Sequence, residues 1–265
     1  MQNTVILPQW LDNLIFEQLG AKYCRSNSDM TVIDWDKNDV LNYLGTYFPR
    51  SYAESYCIFS EFFKLNPNRF VDKEELSVFD FGCGTGGEII GLLIVLAHCC
   101  KNLKRVKILA LDGNIHALQQ YDKVLDEFSK RVDFEIDNHS THLCIDDFYD
   151  LNILDKVLKH KFDIIMSFKA ICEFVTKQQF EKKNAYEHIS QFLLPRLAGN
   201  GFMLLVDVTT YNNTSQEWLP QMMDKGLTKT KCHIVMKNEG YNQTFKIGHS
   251  RRLVDDSKVA WRIIT

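Results

Sequence analysis

Apolar residues in the first seventy positions recur at helical spacing. Trp10, Leu11, Leu14, Ile15 and Leu19 form one stripe. Val40, Leu41, Tyr43, Leu44 and Tyr47 form a second, predicted to stop at Pro49; a third runs from Tyr52 to Leu65, before Pro67. From Ser77 the pattern changes. Short apolar runs alternate with longer helical ones, which predicts a parallel sheet with crossover helices. Strands are expected at Val78–Phe81, Val106–Leu111, Phe162–Ser167 and Phe202–Val208, with a weaker one at Val132–Ile136 or His142–Ile145. Helices are expected near Gly87–Cys100, Ile115–Ser129, Ile153–His160 and Lys177–Leu197. Gly199-Asn200-Gly201 reads as a helix stop and turn. Cys232–Met236, Thr244–Ile247 and Val259–Ile264 alternate without intervening helices, so they read as antiparallel additions at a sheet edge. The expectation is an α/β fold with two parts: a helical N-terminal cap over residues 1–73 and a sheet domain over 74–265.

Composition narrows the function classes. The chain has 265 residues, 45% of them hydrophobic and 25% charged, which excludes wholesale disorder. A net charge of −3 disfavours a globally basic nucleic-acid binder. The longest apolar run, Ile89 to Cys100, is shorter than the roughly 20 residues a bilayer requires. The N-terminus has no basic leader and carries Asp12 and Glu17, so no secretory signal is read and a cytoplasmic location is expected. Eight cysteines without a C-x-x-C pair suggest reduced, mostly buried thiols. His139, His142 and Cys144, close to Asp146 and Asp147, match no standard ligand spacing, and no metal is expected.

The chemistry concentrates at Ser77-Val78-Phe79-Asp80-Phe81-Gly82-Cys83-Gly84-Thr85-Gly86-Gly87-Glu88. An apolar strand ends in an acid, four glycines follow, and an apolar helix begins. Such glycines permit a tight turn and close approach of backbone to a ligand, and the helix start offers free N–H groups. Gly82-x-Gly84-x-x-Gly87 satisfies a dinucleotide fingerprint. Asp80 weighs against it: a carboxylate there suits an ammonium group and repels a pyrophosphate. Asp112, leaving the next strand beside Gly113, can accept both hydroxyls of a ribose or simply cap the helix that follows.

Asp80-x-Gly82-x-Gly84-x-Gly86 resembles motif I of class I S-adenosylmethionine (SAM)-dependent methyltransferases. The resemblance implies a seven-stranded, mostly parallel sheet with an antiparallel edge and helices on both faces. It implies SAM as cofactor and S-adenosylhomocysteine as product. It also implies that Asp80, Gly82, Cys83, Gly84 and Gly86 wrap the amino-acid end, and that Asp112 and Gly113 hold the ribose. Asp147 and Phe148 would border the adenine, with Asp137 as a rival for the acid. Phe162 to Lys169 resembles that family's fourth strand, whose exit at Ser167, Phe168 and Lys169 faces the substrate; Asp163 is expected to be a solvent-facing residue at its start. A segment from Asn42 to Tyr56 loosely resembles the Rsm22-like methyltransferases, but their cluster-binding cysteines have no counterpart, so only fold and cofactor carry over.

Tyr47, Arg50 and Tyr52 fall in an expected connection between helices. There an Arg can grip a carboxylate in two-pronged fashion and aromatic faces suit a sulfonium; the alternative is a helix–turn–helix with Tyr47 and Tyr52 in the core. The methyl acceptor, whether small molecule, RNA or protein, is not written in the chain, and neither is a base. Glu173, His116, Tyr211 and Lys169 are all available. A SAM-binding assembly factor or sensor without transfer activity is the alternative reading, and a nicotinamide-dependent dehydrogenase a third.

Overall fold

The structure is a computed structural model that describes residues 3–25, 35–176, 184–213 and 215–265. It opens with a strand the pattern did not mark, β1 (Thr4–Ile6). A short helix, α1 (Gln9–Asn13), then widens into a π-helical turn over Leu14–Gln18. Helix α2 (Lys37–Leu65) starts at Asp36, whose carboxylate accepts the N–H groups of Asn38 and Asp39 at 2.7 and 2.9 Å.

Pro49 lies inside α2 instead of ending it. A proline costs a free helix roughly 3 kcal/mol. Here every residue from Leu44 to Ser55 except Tyr47 is buried, and each large apolar side chain contributes on the order of 1.5–3 kcal/mol. Burial therefore outweighs the local penalty. Tyr47, Arg50 and Tyr52 consequently sit within a continuous helix and not in a connection.

Strand β2 (Glu75–Phe81) leads to α3 (Gly87–Cys99), β3 (Arg105–Asp112), α4 (Ile115–Ser129) and β4 (Glu135–His142). The last replaces the two alternatives read for this strand. After Ile136 its half-buried positions, Asn138, Ser140 and Thr141, are polar, which hid it from an apolar pattern. Asn138 and Ser140 donate to the Asp122 carboxylate of α4 at 3.1 and 3.0 Å, and the Tyr121 hydroxyl donates to Asn138 at 3.2 Å.

A 3₁₀ turn over Leu151–Lys156 stands where a helix was expected, before β5 (Phe162–Phe168) and α5 (Ile171–Thr176). Helix α6 (Ala185–Leu193) and a 3₁₀ turn over Leu194–Arg196 account for the described part of the next expected helix; residues 177–183 lie outside the described residues. Strand β6 (Leu197–Val208) contains Gly199–Gly201 rather than following it. Phe162 pairs with Leu197 and Ile164 with Phe202, so the glycine run is an irregularity within the strand. A Cβ on Gly201 would lie 2.8 Å from the Phe162 carbonyl. Then come β7 (Tyr211–Asn212), β8 (Glu217–Trp218), an unforeseen helix α7 (Leu219–Thr230), β9 (Ile234–Lys237), β10 (Gln243–His249) and β11 (Arg252–Ile264).

The described strands form a large, mostly parallel mixed sheet of nine, two more than the motif implied, and a separate β7–β8 ribbon. This is the expected α/β, Rossmann-like class.

The chain groups into two compact units. One comprises residues 1–76, 83–144 and 244–257; the other comprises 77–82, 145–243 and 258–265. In the first, β3 runs parallel to β4 from Arg105↔Glu135 to Asp112↔His142, and β1 runs parallel to β10. Helix α2 packs on α3. In the second, β2 runs parallel to β5, which runs parallel to β6, while β11 is antiparallel to both β6 and β9. Asp163 is buried there, not solvent-facing, and accepts the N–H and hydroxyl of Ser77 at 2.9 and 3.1 Å. All eight cysteines are free, but only Cys57, Cys83, Cys100 and Cys172 are buried, so half of them rather than most. Among the described residues no helix is long and apolar enough to cross a membrane.

Candidate functional site

The glycine loop owes its shape to backbone that only glycine takes without strain. Gly82, Gly84 and Gly86 all have positive φ, at 73°, 49° and 83°. Gly87 serves a different need: a Cβ there would lie 2.3 Å from the Phe48 carbonyl. Its absence lets α3 come up against α2, where the Ser55 hydroxyl donates to the Glu88 carbonyl at 2.6 Å.

Within the first unit the loop is tied to the end of β3. The Cys83 N–H donates to the Leu111 carbonyl at 2.9 Å. The Gly84 N–H donates to one carboxylate oxygen of Asp112 at 2.7 Å, and the Asn114 N–H donates to the other at 2.8 Å. Burial lifts the Asp112 carboxyl above its ordinary range, against the pull of those two N–H groups and of His142. Asp112 does not cap α4. Asn114 does, accepting from the N–H groups of His116 and Ala117 at 2.9 and 3.0 Å. The Gly113 carbonyl lies 2.9 Å from His142 Nε2 and accepts from the Cys144 thiol at 3.4 Å. Among the described residues no group of three or more His, Cys, Asp or Glu converges on one point.

Two residues that the sequence pattern did not single out stand beside this loop. A Cβ on Gly84 would come 3.1 Å from the Tyr43 hydroxyl. Tyr43 stacks on Tyr47 at 5.0 Å between ring centroids and meets Trp35 edge-on at 5.3 Å. The Trp35 carbonyl accepts from the Asn114 amide at 3.0 Å. The signal for Tyr43 was its i, i+4 spacing from Tyr47, which an apolar stripe also explains.

Arg50 and Tyr52, expected at the cofactor, are committed elsewhere. Arg50 makes its two-pronged bond to Asp255, at 2.7 and 2.9 Å, and its guanidinium lies 5.3 Å from the Tyr47 ring centroid. Tyr52 is buried against Tyr56, 5.9 Å between centroids, and burial lifts its hydroxyl well above the ordinary range.

In the second unit Asp80 is fully buried and pairs in register with Met166. A Cβ on Gly82 would strike that of Ala170 at 2.3 Å. Ser167 is buried, and its hydroxyl has no partner among the described residues. Lys169, at the exit of β5, takes a left-handed φ of 57°, a strained conformation for a side-chain-bearing residue. Asp147 is exposed and accepts the Tyr149 N–H at 2.9 Å, a local turn. Phe148 does not face solvent beside it; its ring is buried, 4.6 Å from Phe174 and 5.9 Å from His188 between centroids.

No protein-family profile and no curated protein matches the chain in sequence. Several solved structures resemble it in shape. One, a protein from Pyrococcus horikoshii proposed to be an RNA methyltransferase, is 14% identical, with a TM-score of 0.47 over 98% of this chain and 97% of that one. Magnesium protoporphyrin IX methyltransferase from Synechocystis, solved with bound SAM, is 11% identical, with a TM-score of 0.47 over 96% and 90%. An rRNA methyltransferase from Streptomyces viridochromogenes is 13% identical, with a TM-score of 0.44 over 79% and 84%.

Proposed function

We propose that this protein binds S-adenosylmethionine and transfers its methyl group to an acceptor. The observation that carries the reading is the loop after β2. Three alternate glycines in left-handed backbone follow a buried acid, and the N–H of the middle one is held by Asp112. Each Asp112 oxygen accepts one N–H in the structure and keeps a lone-pair direction for a ribose hydroxyl. Gly82, Cys83, Gly84 and Gly86 would follow the amino-acid end, with the Asp80 carboxylate supplying the charge that an ammonium seeks and a pyrophosphate avoids. Gly113 and the exposed Asp147 stay in the proposed set. Phe148 and Ser167 stay as its buried supports. Arg50 and Tyr52 leave it, because Asp255 and Tyr56 already occupy them.

When bound, SAM supplies an activated methyl on a sulfonium. The protein's part is to hold the nucleophile in line and to exclude water, and positioning alone supplies much of such a rate. A base is required only where the nucleophile must lose its proton during transfer. Calorimetry with SAM, S-adenosylhomocysteine and NAD tests the reading. Binding of the first two without the third is expected; tight NAD binding with no SAM signal would overturn it.

A further inference from the structure

His249, the last residue of β10, is 6% exposed, and neither of its ring nitrogens has a partner among the described residues. Buried polar groups almost always find one. The ring lies face to face with Phe16, 5.1 Å between centroids at 14°, and tilts on Tyr23 at 5.4 Å. Phe16 belongs to the π-helical turn. β1 pairs with β10 in a short parallel ladder from Thr4↔Lys246 to Ile6↔Gly248, extended by the Lys246 N–H to the Asn3 carbonyl at 2.7 Å, and few further groups join the segment to β10 and the residues just after it. The Leu7 N–H donates to the Gly248 carbonyl at 2.9 Å, the Ser250 N–H to Asp12 at 3.0 Å, and Arg251 to Glu17 at 2.8 Å. Val5, Leu7, Leu11, Leu14, Ile15 and Phe16 are all buried.

We propose that the segment from Thr4 to Leu19 is a strap whose docking on β10 depends on the charge of His249, staying closed while the ring is neutral and opening when it is protonated. A charged imidazolium carries two N–H donors, and among the described residues neither has an acceptor within bonding distance. The charges that face it are of both signs. Asp12 of α1 and Asp255 of β11 favour the cation; Arg50 of α2 and Arg252 of β11 oppose it. Tyr23 faces it as a neutral hydroxyl already given to Asp255 at 3.1 Å. Asp255 is itself held by Arg50 and Glu17 by Arg251, Asp12 takes the Ser250 N–H, and among the described residues none of these carboxylates bonds a ring nitrogen. Burial, the largest influence, holds the His249 pKa below its ordinary 6.5. A histidine with a lowered folded pKa leaves docking undisturbed above 6.5 and weakens it as pH falls through the folded value.

Hydrogen exchange, corrected for intrinsic rates, tests this on the full chain at pH 7.5 and 5.5. Amides from Val5 to Phe16 are expected to lose protection at the lower pH, by up to about tenfold for each pH unit below 6.5 at which the buried ring resists charging. His249→Phe keeps the stack on Phe16 and removes the titration, so its strap should hold equal protection at both values. Unchanged protection in the wild type, or the same loss in the Phe variant, would overturn the proposal. The imidazole NMR titration of the wild type needs no variant. A His249 pKa at or above 6.5 would also overturn it, and one below supports it.

Discussion

The backbone N–H of Gly84 and the carboxylate of Asp112 meet at 2.7 Å across 28 residues of sequence. One carboxylate therefore shapes the glycine turn and, in the function proposed above, would also accept a ribose. Asp112→Ala is expected to weaken SAM binding and to loosen the turn. Hydrogen bonds to a charged group contribute about 1.5–3 kcal/mol each. Asp112→Asn keeps a single acceptor oxygen and should fall between wild type and Ala. Calorimetry beside a thermal melt separates the two effects; a folded Ala variant with wild-type affinity would leave Asp112 a purely structural tie.

Removing one member of the Arg50–Asp255 pair leaves the other as a buried, unmatched charge. Arg50→Met or Asp255→Asn should each cost roughly 3–5 kcal/mol, and the double variant Arg50→Met with Asp255→Leu should recover much of it. Urea unfolding of the three variants checks this. Burial pushes the Asp255 carboxyl up, but the bonds from Arg50 and Tyr23 more than offset it and hold it below the ordinary 3.8. Its stabilisation is present above 3.8 and is lost as pH falls through the folded value.

Asp207 has the opposite sign. Burial lifts its carboxyl to about 6, against bonds from Cys172, Tyr186 and the Val208 N–H. A carboxyl raised from 3.8 to about 6 costs stability above 6 and regains it as pH falls towards 3.8. Asp207→Asn should therefore stabilise the protein at pH 7, by at most about 3 kcal/mol, and remove that pH dependence. Melting temperatures between pH 4.5 and 7.5 would show it. A variant less stable than wild type at pH 7 would mean that the charged form, held by the Tyr186 hydroxyl at 2.9 Å, is the favoured one.

Gly87→Ala would place a Cβ 2.3 Å from the Phe48 carbonyl, a backbone atom that cannot turn aside. Helix α3 would have to move away from α2, and overpacking of this kind costs about 1–3 kcal/mol. Destabilisation is the expected result in denaturant; a neutral outcome would mean that the two helices slide apart freely.

The glycine loop was legible because its residue types are demanded by backbone alone, with Gly82, Gly84 and Gly86 each at positive φ. Helix α4 was legible to the residue because its apolar stripe, Ala117, Leu118, Tyr121, Val124, Leu125 and Phe128, keeps helical spacing from end to end. The misreadings share a cause, which is that distant contacts overrode local preference. Pro49 looks like a stop until the burial around it is known. Strand β4 hides because Asn138 and Ser140 face inward and are satisfied by Asp122. Arg50 looked available because its partner stands 205 residues away.

That long reach bears on how the chain is made. The first unit takes its last pieces, β10 and the start of β11, from residues 244–257. β1 is synthesised long before Lys246 to Gly248, and its pairing with them waits until they follow. Contacts so distant in sequence slow folding, and they leave an unpaired strand edge exposed in the meantime. A chain that stops before Asp255 would strand the Arg50 guanidinium in a buried helix without its carboxylate. A nascent chain halted short of that point should be held by chaperones or degraded, even with its glycine loop and every residue proposed to touch SAM already translated.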